Sequence, residues 1–257
     1  MEKCIFGPIY SRRLGVSLGI NLVPYKTCSL NCLYCECGET TSLTIERKEH
    51  LPSQWIMEEL IKYASSSRFR NFPPLYFTFA GLGEPTLSSG LGKIVNLIKK
   101  TFPEQKIALI TNGTLFGFYP ELLKEVKEID LIIPSLDAAT EETFKIVNQP
   151  HPAVSLAAHW EGLVRLKKHF TGEIWLEVFI LSGMNDSEAE LTLLRDKINF
   201  LSPQRVQINW LDRPAAYQGI QSPPFARLKK IAQFLGGEVI LPFSIPPARE
   251  QETPVVS

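Results

Sequence analysis

The sequence has no excess of charge of either sign and no long apolar run. Lysine plus arginine and aspartate plus glutamate each number 27 among 257 residues, so the formal net charge is zero. A balanced charge disfavours a broad nucleic-acid-binding surface. The apolar runs are too short to span a membrane, and the N-terminal residues lack the apolar core of a secretory signal. We therefore expect a cytoplasmic protein that has no membrane partner.

Internal repeats and low-complexity segments are also missing, which disfavours solenoid and propeller architectures. A chain of 257 residues buries a core large enough to need no disulfide staples. We expect one domain over residues 1–257, with its core at about 15–236. The remaining residues, 237–257, are rich in proline and predict an irregular tail.

What the chain does contain is an alternation of β-like and helix-like segments. The β-like runs are 17-SLGINLV-23, 75-LYFTFA-80, 106-KIALIT-111, 130-DLIIPS-135, 173-EIWLEVFI-180 and 205-RVQINW-210. Helix starts are marked by Thr140 and by a capping box of Ser187 and Glu190. Strands that alternate with helices pair in parallel through βαβ crossovers. The fold class is therefore α/β, either an open sheet or a barrel.

Polar residues on these strands favour the barrel. Parallel strands that are covered by helices on both faces are almost wholly apolar. Four strands here carry or end in polar residues, namely Thr78, Ser135, Asp137, Glu177, Gln207 and Asn209. Solvated edges would explain single cases, whereas polar groups on four strands indicate a shared interior that is wet or filled by a ligand. We predict a partial (β/α)6 barrel of the TIM type, with parallel strands.

Four of the five cysteines lie in one short stretch, 28-CSLNCLYCECG-38. Cys28, Cys32 and Cys35 have the spacing C-x3-C-x2-C, and three thiolates on one loop can bind three irons of a [4Fe–4S] cluster. The fourth iron would then be open to a small molecule. The stretch follows a predicted strand, at the end where barrels build their active sites. Cys37 is predicted to be a bystander, because a fourth thiolate would close the open iron.

Two other uses of these thiols compete with the cluster. A zinc site could use all four, but structural zinc usually pairs two close cysteines with a distant second Cys/His pair, and the four histidines are scattered. A disulfide scaffold is disfavoured by the size of the chain and by the expected reducing compartment. An iron–sulfur cluster is therefore the favoured interpretation.

The cysteine spacing, with Tyr34 directly before Cys35, resembles the signature of the radical S-adenosylmethionine superfamily. The resemblance implies that the open iron binds the amino and carboxylate groups of S-adenosylmethionine. It implies that the reduced cluster cleaves this cofactor to methionine and a 5′-deoxyadenosyl radical, which abstracts a hydrogen atom from a substrate. It also implies an electron donor such as flavodoxin or ferredoxin.

Later strand ends add to the resemblance. The segment 81-GLGEPTL-87 is similar to the "GGE" segment of the superfamily, which contacts the methionyl amino group, and here the glycines would allow close approach and Glu84 an exposed carboxylate. The segments 111-TNG-113 and 135-SLDAAT-140 offer strand-end polar groups for the ribose or carboxylate, although each is also ordinary turn chemistry. The residues predicted to line the S-adenosylmethionine site are Tyr34, Gly81, Gly83, Glu84, Asn112, Ser135 and Asp137.

A narrower resemblance is to the wyosine-synthase-related group of Fe–S oxidoreductases, over most of residues 5–215. It is carried by 6-FGPIYSRRLGVSLGINLVPYKTCSLNCLYCECG-38, FAGLGEPTL, SLDAATEETF and 207-QINWLDRPA-215. The archetype of that group modifies a transfer RNA base with pyruvate. This chain has no flavodoxin-like domain, no evident basic RNA-binding extension and no second cysteine triplet, and no motif selects Lys26 or Lys48 as a Schiff-base lysine. The resemblance to this group therefore indicates the scaffold of the protein better than it indicates the substrate.

The substrate is expected near Glu177, Gln207, Asn209 and Trp210, although ordinary interior hydrogen bonds would equally explain these residues. Arg12, Arg13 and Arg213 could receive an anionic substrate, but surface ion pairs are the favoured interpretation. The substrate itself is an RNA base, another small molecule, or a partner protein or peptide. No cysteine follows Cys37, which disfavours the protein and peptide classes. A non-catalytic metal-binding module is disfavoured because it would not need polar residues at the ends of several strands.

Overall fold

The computed structural model describes residues 3–213 and 215–242, and its centre is an eight-stranded sheet with the order β1-β2-β5-β6-β7-β8-β9-β10. The strands are β1 (Ile5–Ser11), β2 (Gly15–Ile20), β3 (Thr27–Cys28), β4 (Ser42–Leu43), β5 (Tyr76–Phe79), β6 (Lys106–Thr111), β7 (Leu131–Pro134), β8 (Glu173–Phe179), β9 (Arg205–Asn209) and β10 (Glu238–Val239). β1 pairs antiparallel with β2, and every other neighbouring pair in this sheet is parallel. β3 and β4 form a separate parallel pair.

Eight α-helices accompany the strands in the described residues. They are α1 (Ser53–Ala64), α2 (Ser67–Asn71), α3 (Leu91–Thr101), α4 (Leu122–Glu125), α5 (Glu141–Asn148), α6 (Leu156–His169), α7 (Glu188–Leu201) and α8 (Phe225–Phe234). Helix α3 shows why these segments are helical, because its buried residues Leu91, Ile94, Val95 and Ile98 recur at the spacing of one helix face. Across the described residues, no helix combines the length and the apolar character that crossing a membrane requires.

All six predicted strands are present and lie in the parallel part of the sheet, so the predicted α/β class is confirmed. The sheet extends beyond the core expected at about 15–236, because β1 and β10 add an edge strand on each side. The alternation of β1 is interrupted by an irregularity between Phe6 and Ile9, and β10 has only two residues, so neither shows a clear strand pattern. In the predicted tail, Pro242 is described, whereas Pro246, Pro247 and Pro254 lie outside the described residues.

The predicted helix caps are confirmed in part. Thr140 caps α5 by accepting a hydrogen bond from Thr143 N at 3.3 Å, and Ser187 caps α7 by accepting one from Glu190 N at 3.2 Å. Within residues 3–213, the return bond of the predicted capping box, from Ser187 N to the carboxylate of Glu190, is absent. The buried carboxylate of Glu190 instead accepts from Ala139 N at 2.5 Å, and so ties α7 to the segment that follows β7.

The polar interior predicted from the strands is confirmed. Register places Glu177 of β8 beside Gln207 of β9, and Thr78 on β5 shares a hydrogen bond of 2.7 Å with Ser17 on β2. The turn between β1 and β2 reaches across the sheet to β8, because Arg13 in this turn forms an ion pair with Glu177. The sheet therefore curves into a partial barrel. Below this polar layer, Leu14 and Trp175 lie in an apolar cluster that fills the other end of the interior.

Candidate functional site

The cysteine segment follows β2 and is held in place by main-chain hydrogen bonds. Lys26 N donates to Leu82 O at 2.6 Å, and Leu33 N donates to Val147 O at 3.0 Å. Cys28 lies in β3, which pairs with β4. The segment is thereby fixed between the turn that follows β5 and the end of α5, at the carboxyl ends of the parallel strands.

Each of the three thiols predicted to bind iron lies beside a side-chain nitrogen. The three pairs are Asn112 Nδ2 to Cys28 Sγ at 3.5 Å, Asn148 Nδ2 to Cys32 Sγ at 3.4 Å and Lys26 Nζ to Cys35 Sγ at 3.0 Å. N–H groups that point at sulfur favour its anionic form and tune the properties of a bound metal centre. The three donors come from three different parts of the chain, so the arrangement exists only in the folded protein.

The acidity of the thiols differs within the segment. Burial raises the pKa of Cys28 to about 12, and burial also raises the pKa of Cys32. A hydrogen bond with Cys37 lowers the pKa of Cys35 to about 5, and the ammonium of Lys26 adds to this effect. Because metals bind thiolates, loading a metal must displace protons from Cys28 and Cys32.

Asp137 connects the cysteine segment to the ends of β7 and β8. Its Oδ2 accepts hydrogen bonds from Tyr34 OH at 2.5 Å and Asn148 Nδ2 at 2.7 Å, and its Oδ1 accepts from Phe179 N at 2.8 Å. The ring of Tyr34 also stacks on Phe179, with 3.8 Å between the ring centroids. Asp137 is buried, and burial raises its pKa to about 6. Asp137 therefore holds Tyr34, which precedes Cys35, and Asn148, which contacts Cys32.

The expectation of an exposed carboxylate at Glu84 is wrong, since this residue is only 2% exposed. Oε1 accepts from Thr86 N at 3.0 Å, from Thr86 Oγ1 at 2.5 Å and from Thr111 Oγ1 at 2.6 Å, while Oε2 accepts from Asn112 N at 2.7 Å. The chain turns back after β5, so that the carboxylate caps the short helical turn Pro85–Leu87. Glu84 therefore ties this turn to the end of β6.

The two predicted glycines adjoin the cysteine segment. A Cβ atom added at Gly83 would lie 2.2 Å from Thr27 O, which also accepts a hydrogen bond from Glu84 N at 3.0 Å. Gly81 has a φ of 128°, a conformation that only glycine adopts without steric cost. The missing side chains allow the turn after β5 to lie directly against the residue that precedes Cys28.

Asn112 and Ser135 are half-buried at the ends of β6 and β7. Besides its contact with Cys28, Asn112 Nδ2 donates to Ser29 Oγ at 2.9 Å. Ser135 N donates to Thr111 O at 3.2 Å, which continues the pairing of β6 and β7 past the last residue of the strand. The structure thus places all seven predicted cofactor-lining residues on the same end of the barrel, and it brings Asn112 into direct contact with a cysteine.

Comparison with known proteins identifies this arrangement. The model of the family described as "Radical SAM superfamily" matches residues 22–195, which include the cysteine segment and most of the barrel. A UPF0026 protein of Helicobacter pylori is 32% identical over 240 residues, covering 93% of this chain and 76% of that protein. The chain belongs to the radical SAM superfamily and to the UPF0026 family.

Other relatives differ in length. A UPF0026 protein of Methanocaldococcus jannaschii is 31% identical, with 88% of this chain and 69% of that protein covered. A protein of Brachyspira hyodysenteriae named "GTPase Obg" is 34% identical, with 95% of this chain but only 35% of that protein covered. The radical SAM chain therefore spans about a third of the Brachyspira protein and most of the UPF0026 proteins.

Two solved structures have the same fold at low sequence identity. A radical SAM methyltransferase from Sphaerobacter thermophilus superposes with a TM-score of 0.68 and 17% identity, over 87% of this chain and 65% of that one. TYW1 with a lysine–pyruvate adduct bound gives a TM-score of 0.59 and 14% identity, over 85% of this chain and 72% of that one. These likenesses confirm the predicted partial TIM-type barrel.

As a member of this superfamily, the chain is an enzyme that uses a [4Fe–4S] cluster and S-adenosylmethionine. The cysteine segment fits such a cluster. In the described part of the chain, no three Cys, His, Asp or Glu side chains converge as the ligands of a single metal ion do. A mononuclear zinc site needs that convergence, whereas the thiolates of a [4Fe–4S] cluster each bind a different iron and lie further apart. The family match, rather than this absence, favours the cluster over the zinc alternative.

Sequence reasoning missed several residues of the site. The sequence offers Lys26 only as a Schiff-base candidate, whereas in the structure its ammonium lies against Cys35. Asn148, which donates to Cys32 and to Asp137, lies outside every motif that the sequence shows. Its contact with Cys32 spans 116 positions, and no spacing rule connects the last residue of α5 with the cysteine motif.

The three predicted arginines form ion pairs. Arg12 pairs with Asp212, Arg13 pairs with Glu177, and Arg213 pairs with Glu36 at 2.9 Å. The first two are not surface pairs as expected, because the side chains of Arg12 and Arg13 are only 13% and 14% exposed. They connect the turn between β1 and β2 to β8 and to the segment that follows β9.

Proposed function

We propose that Cys28, Cys32 and Cys35 hold the cluster of this radical SAM enzyme and that Cys37 is not a ligand. The observation that carries the proposal is that each of the three thiols has its own nitrogen donor, whereas Cys37 Sγ lies beside an acceptor, Gly81 O, at 3.4 Å. When bound, the cluster and S-adenosylmethionine supply a 5′-deoxyadenosyl radical, which abstracts hydrogen from the substrate. The electron comes from a donor of the flavodoxin or ferredoxin type in the cytoplasm.

The predicted cofactor-lining residues divide into two roles in this proposal. The half-buried Asn112 and Ser135, together with the glycines and Tyr34, contact S-adenosylmethionine. The buried Glu84 and Asp137 position them, because all of their carboxylate oxygens already accept hydrogen bonds from the protein. The protein thereby orients the cofactor and excludes water from it.

A cleft at the open side of the barrel supports a substrate site. The cleft has a volume of about 460 Å³ and lies between the end of β1 and the pair β9–β10. Its lining includes Gln207, which is 1% exposed and whose Oε1 has no hydrogen-bond partner among residues 3–213 and 215–242. An unpaired buried acceptor is costly unless a ligand supplies the donor. The cleft therefore suits a small molecule or an RNA base that carries an N–H group.

The cleft adjoins the cysteine site through one ion pair. Arg13 lines the cleft and pairs with Glu177, which also accepts from Asn209 Nδ2 at 3.4 Å. Glu177 O also accepts a hydrogen bond from Leu136 N at 2.9 Å, so this residue lies beside the end of β7, between Ser135 and Asp137. A substrate in the cleft would therefore lie next to the site where the radical forms.

The cluster assignment is tested by anaerobic reconstitution. The protein should bind about four irons and four sulfides per chain and show a reduced-cluster EPR signal that shifts when S-adenosylmethionine is added. Cys32→Ala should abolish reductive formation of 5′-deoxyadenosine, whereas Cys37→Ala should retain most of it. Activity of Cys32→Ala, or uptake of zinc in place of iron, would refute the assignment.

The cleft is tested with a deuterium-labelled cell extract. Deuterium should enter 5′-deoxyadenosine in the unaltered enzyme, and Gln207→Leu should lower this transfer at least tenfold. Cluster content and substrate-free cleavage of S-adenosylmethionine should stay unchanged in Gln207→Leu, since Gln207 is not placed at the cluster. Unchanged deuterium transfer in this variant would exclude the cleft as the substrate site.

A further inference from the structure

Lys26 is a buried lysine two residues before Cys28. It is 3% exposed, and its Nζ donates to Cys35 Sγ at 3.0 Å. A buried ammonium is costly unless a negative group lies beside it. The thiolates of the cysteine segment are the groups that can supply this negative charge, so Lys26 is chemically matched to a filled cluster site.

The main chain at Lys26 is held in a conformation that directs the side chain. Its φ is 54°, in the left-handed region that residues other than glycine rarely adopt. Lys26 N donates to Leu82 O at 2.6 Å, and Lys26 O accepts from Thr41 N at 3.2 Å and Ser42 N at 3.0 Å. Such a conformation persists only where the surroundings fix it on both sides. The approach of the ammonium to Cys35 is therefore built into the backbone.

We propose that Lys26 is a positioning residue that raises the reduction potential of the cluster through Cys35. The inference rests on the proposed function, which assigns Cys35 as an iron ligand. Its ammonium would donate an N–H···S hydrogen bond to the ligated sulfur and place one positive charge at the edge of the cluster. Cluster potentials depend on net charge and on hydrogen bonds to the sulfurs.

The direction of the effect follows from the charge change on reduction. The cluster gains one electron, and a one-electron donor of the flavodoxin or ferredoxin type loses one. A nearby positive charge stabilises the more negative, reduced cluster more than the oxidised cluster. Lys26 thus makes the cluster easier to reduce by its donor. In this proposal Lys26 acts through its positive charge, since reduction of the cluster moves one electron and does not involve a proton from Lys26.

The test is the midpoint potential of the reconstituted protein, measured by an EPR-monitored redox titration under anaerobic conditions. Lys26→Met removes the charge and keeps most of the side-chain length. We expect the ratio of reduced to oxidised cluster to fall at least tenfold at a given potential, which corresponds to a midpoint about 59 mV lower. Lys26→Arg keeps the charge and should shift the midpoint by less than half as much. The matched control is Lys48→Met, which removes the same charge from an exposed position.

Two results would overturn the inference. One is an equal midpoint for Lys26→Met and Lys48→Met, and the other is an equal shift for Lys26→Met and Lys26→Arg. If Lys26→Met does not retain a full cluster, Lys26→Gln is compared with Lys26→Arg. A lower midpoint for the glutamine variant supports the inference, and equal midpoints contradict it.

Failure of this inference can be distinguished from failure of the proposed function. If the unaltered protein takes up no iron–sulfur cluster, or if Cys35→Ala retains a fully functional one, the ligand assignment itself is wrong. If the cluster forms on Cys28, Cys32 and Cys35 and its potential does not respond to the charge at position 26, only the role of Lys26 is wrong.

Discussion

The hydroxyl of Tyr34 donates a 2.5 Å hydrogen bond to Oδ2 of Asp137, a residue 103 positions away in the sequence. This bond joins the cysteine segment to the end of β7, and the stacking of Tyr34 on Phe179 joins it to β8. Two strand ends therefore fix the aromatic residue that directly precedes Cys35. Tyr34 belongs to the part of the sequence that resembles a family signature. In the structure it connects the cysteine segment to the barrel through non-covalent contacts.

Tyr34→Phe is predicted to destabilise the protein by about 1.5–3 kcal/mol, because it leaves a buried carboxylate short of a donor. Tyr119→Phe is the matched control, since the Tyr119 hydroxyl donates to a neutral acceptor, Ile45 O, at 3.0 Å. The control should cost about 0.5–1.5 kcal/mol. Urea denaturation of both variants measures the difference, and equal losses would contradict the importance that we assign to Asp137.

Asp137 should also make stability depend on pH. Burial raises its pKa from 3.8 to about 6 in the folded chain. A group whose pKa is raised on folding stabilises the fold fully below its unfolded pKa, and this contribution is lost as the pH rises through the folded pKa. The unfolding free energy of the cluster-free protein should therefore decline between about pH 4 and 6 through this group, by at most roughly 3 kcal/mol.

Asp137→Asn isolates that contribution, because the other titrating groups are the same in both proteins. We expect the unfolding free energy of Asp137→Asn to decline less steeply than that of the unaltered protein over this pH range. Urea denaturation at several pH values provides the comparison. Parallel pH profiles for the two proteins would show that the pKa of Asp137 is not raised by folding.

Glu84 and Thr111 are predicted to be energetically coupled across the ends of β5 and β6. Thr111 Oγ1 donates to the buried carboxylate at 2.6 Å. A double-mutant cycle with Glu84→Gln and Thr111→Val should give a coupling of about 1–2 kcal/mol in unfolding free energy. Thr111→Ser retains the hydroxyl, so a cycle that pairs it with Glu84→Gln should give a smaller coupling energy. Additive effects of Glu84→Gln and Thr111→Val would mean that this bond contributes nothing to the fold.

Gly83→Ala is predicted to disturb the cysteine segment. The added methyl group would lie 2.2 Å from Thr27 O, so the residue before Cys28 must move. Overpacking of this kind typically costs about 1–3 kcal/mol, and here it should also lower the iron content after reconstitution. Gly183→Ala is the control, since a Cβ atom there meets nothing within 4 Å. It should retain the full iron content despite some backbone strain, and a matching loss in both variants would contradict the steric explanation.

The outcome for individual residues shows which features were open to sequence reasoning. The six parallel strands and the caps at Thr140 and Ser187 were predictable, because strand alternation and capping are local patterns. The end of the barrel on which Asn112 and Ser135 lie was predictable too, since parallel strands all finish on one side. The burial of Glu84 was not predictable, because it depends on how the turn after β5 folds back onto Thr111, and no local sequence pattern encodes that contact.

Local spacing alone determined the cysteine motif, the α/β class and the polar interior of the barrel, because covalent proximity and strand periodicity are properties of the chain itself. Only the tertiary structure decided which donor each thiol has, since Asn112 is 84 positions from Cys28 in the sequence and Asn148 is 116 positions from Cys32. It also decided the role of Lys26, which is close to Cys35 in sequence but reaches it through a left-handed backbone held by Leu82 and two further main-chain contacts. Contacts of this kind follow from the packing of distant segments and from the hydrogen bonds that buried polar groups require.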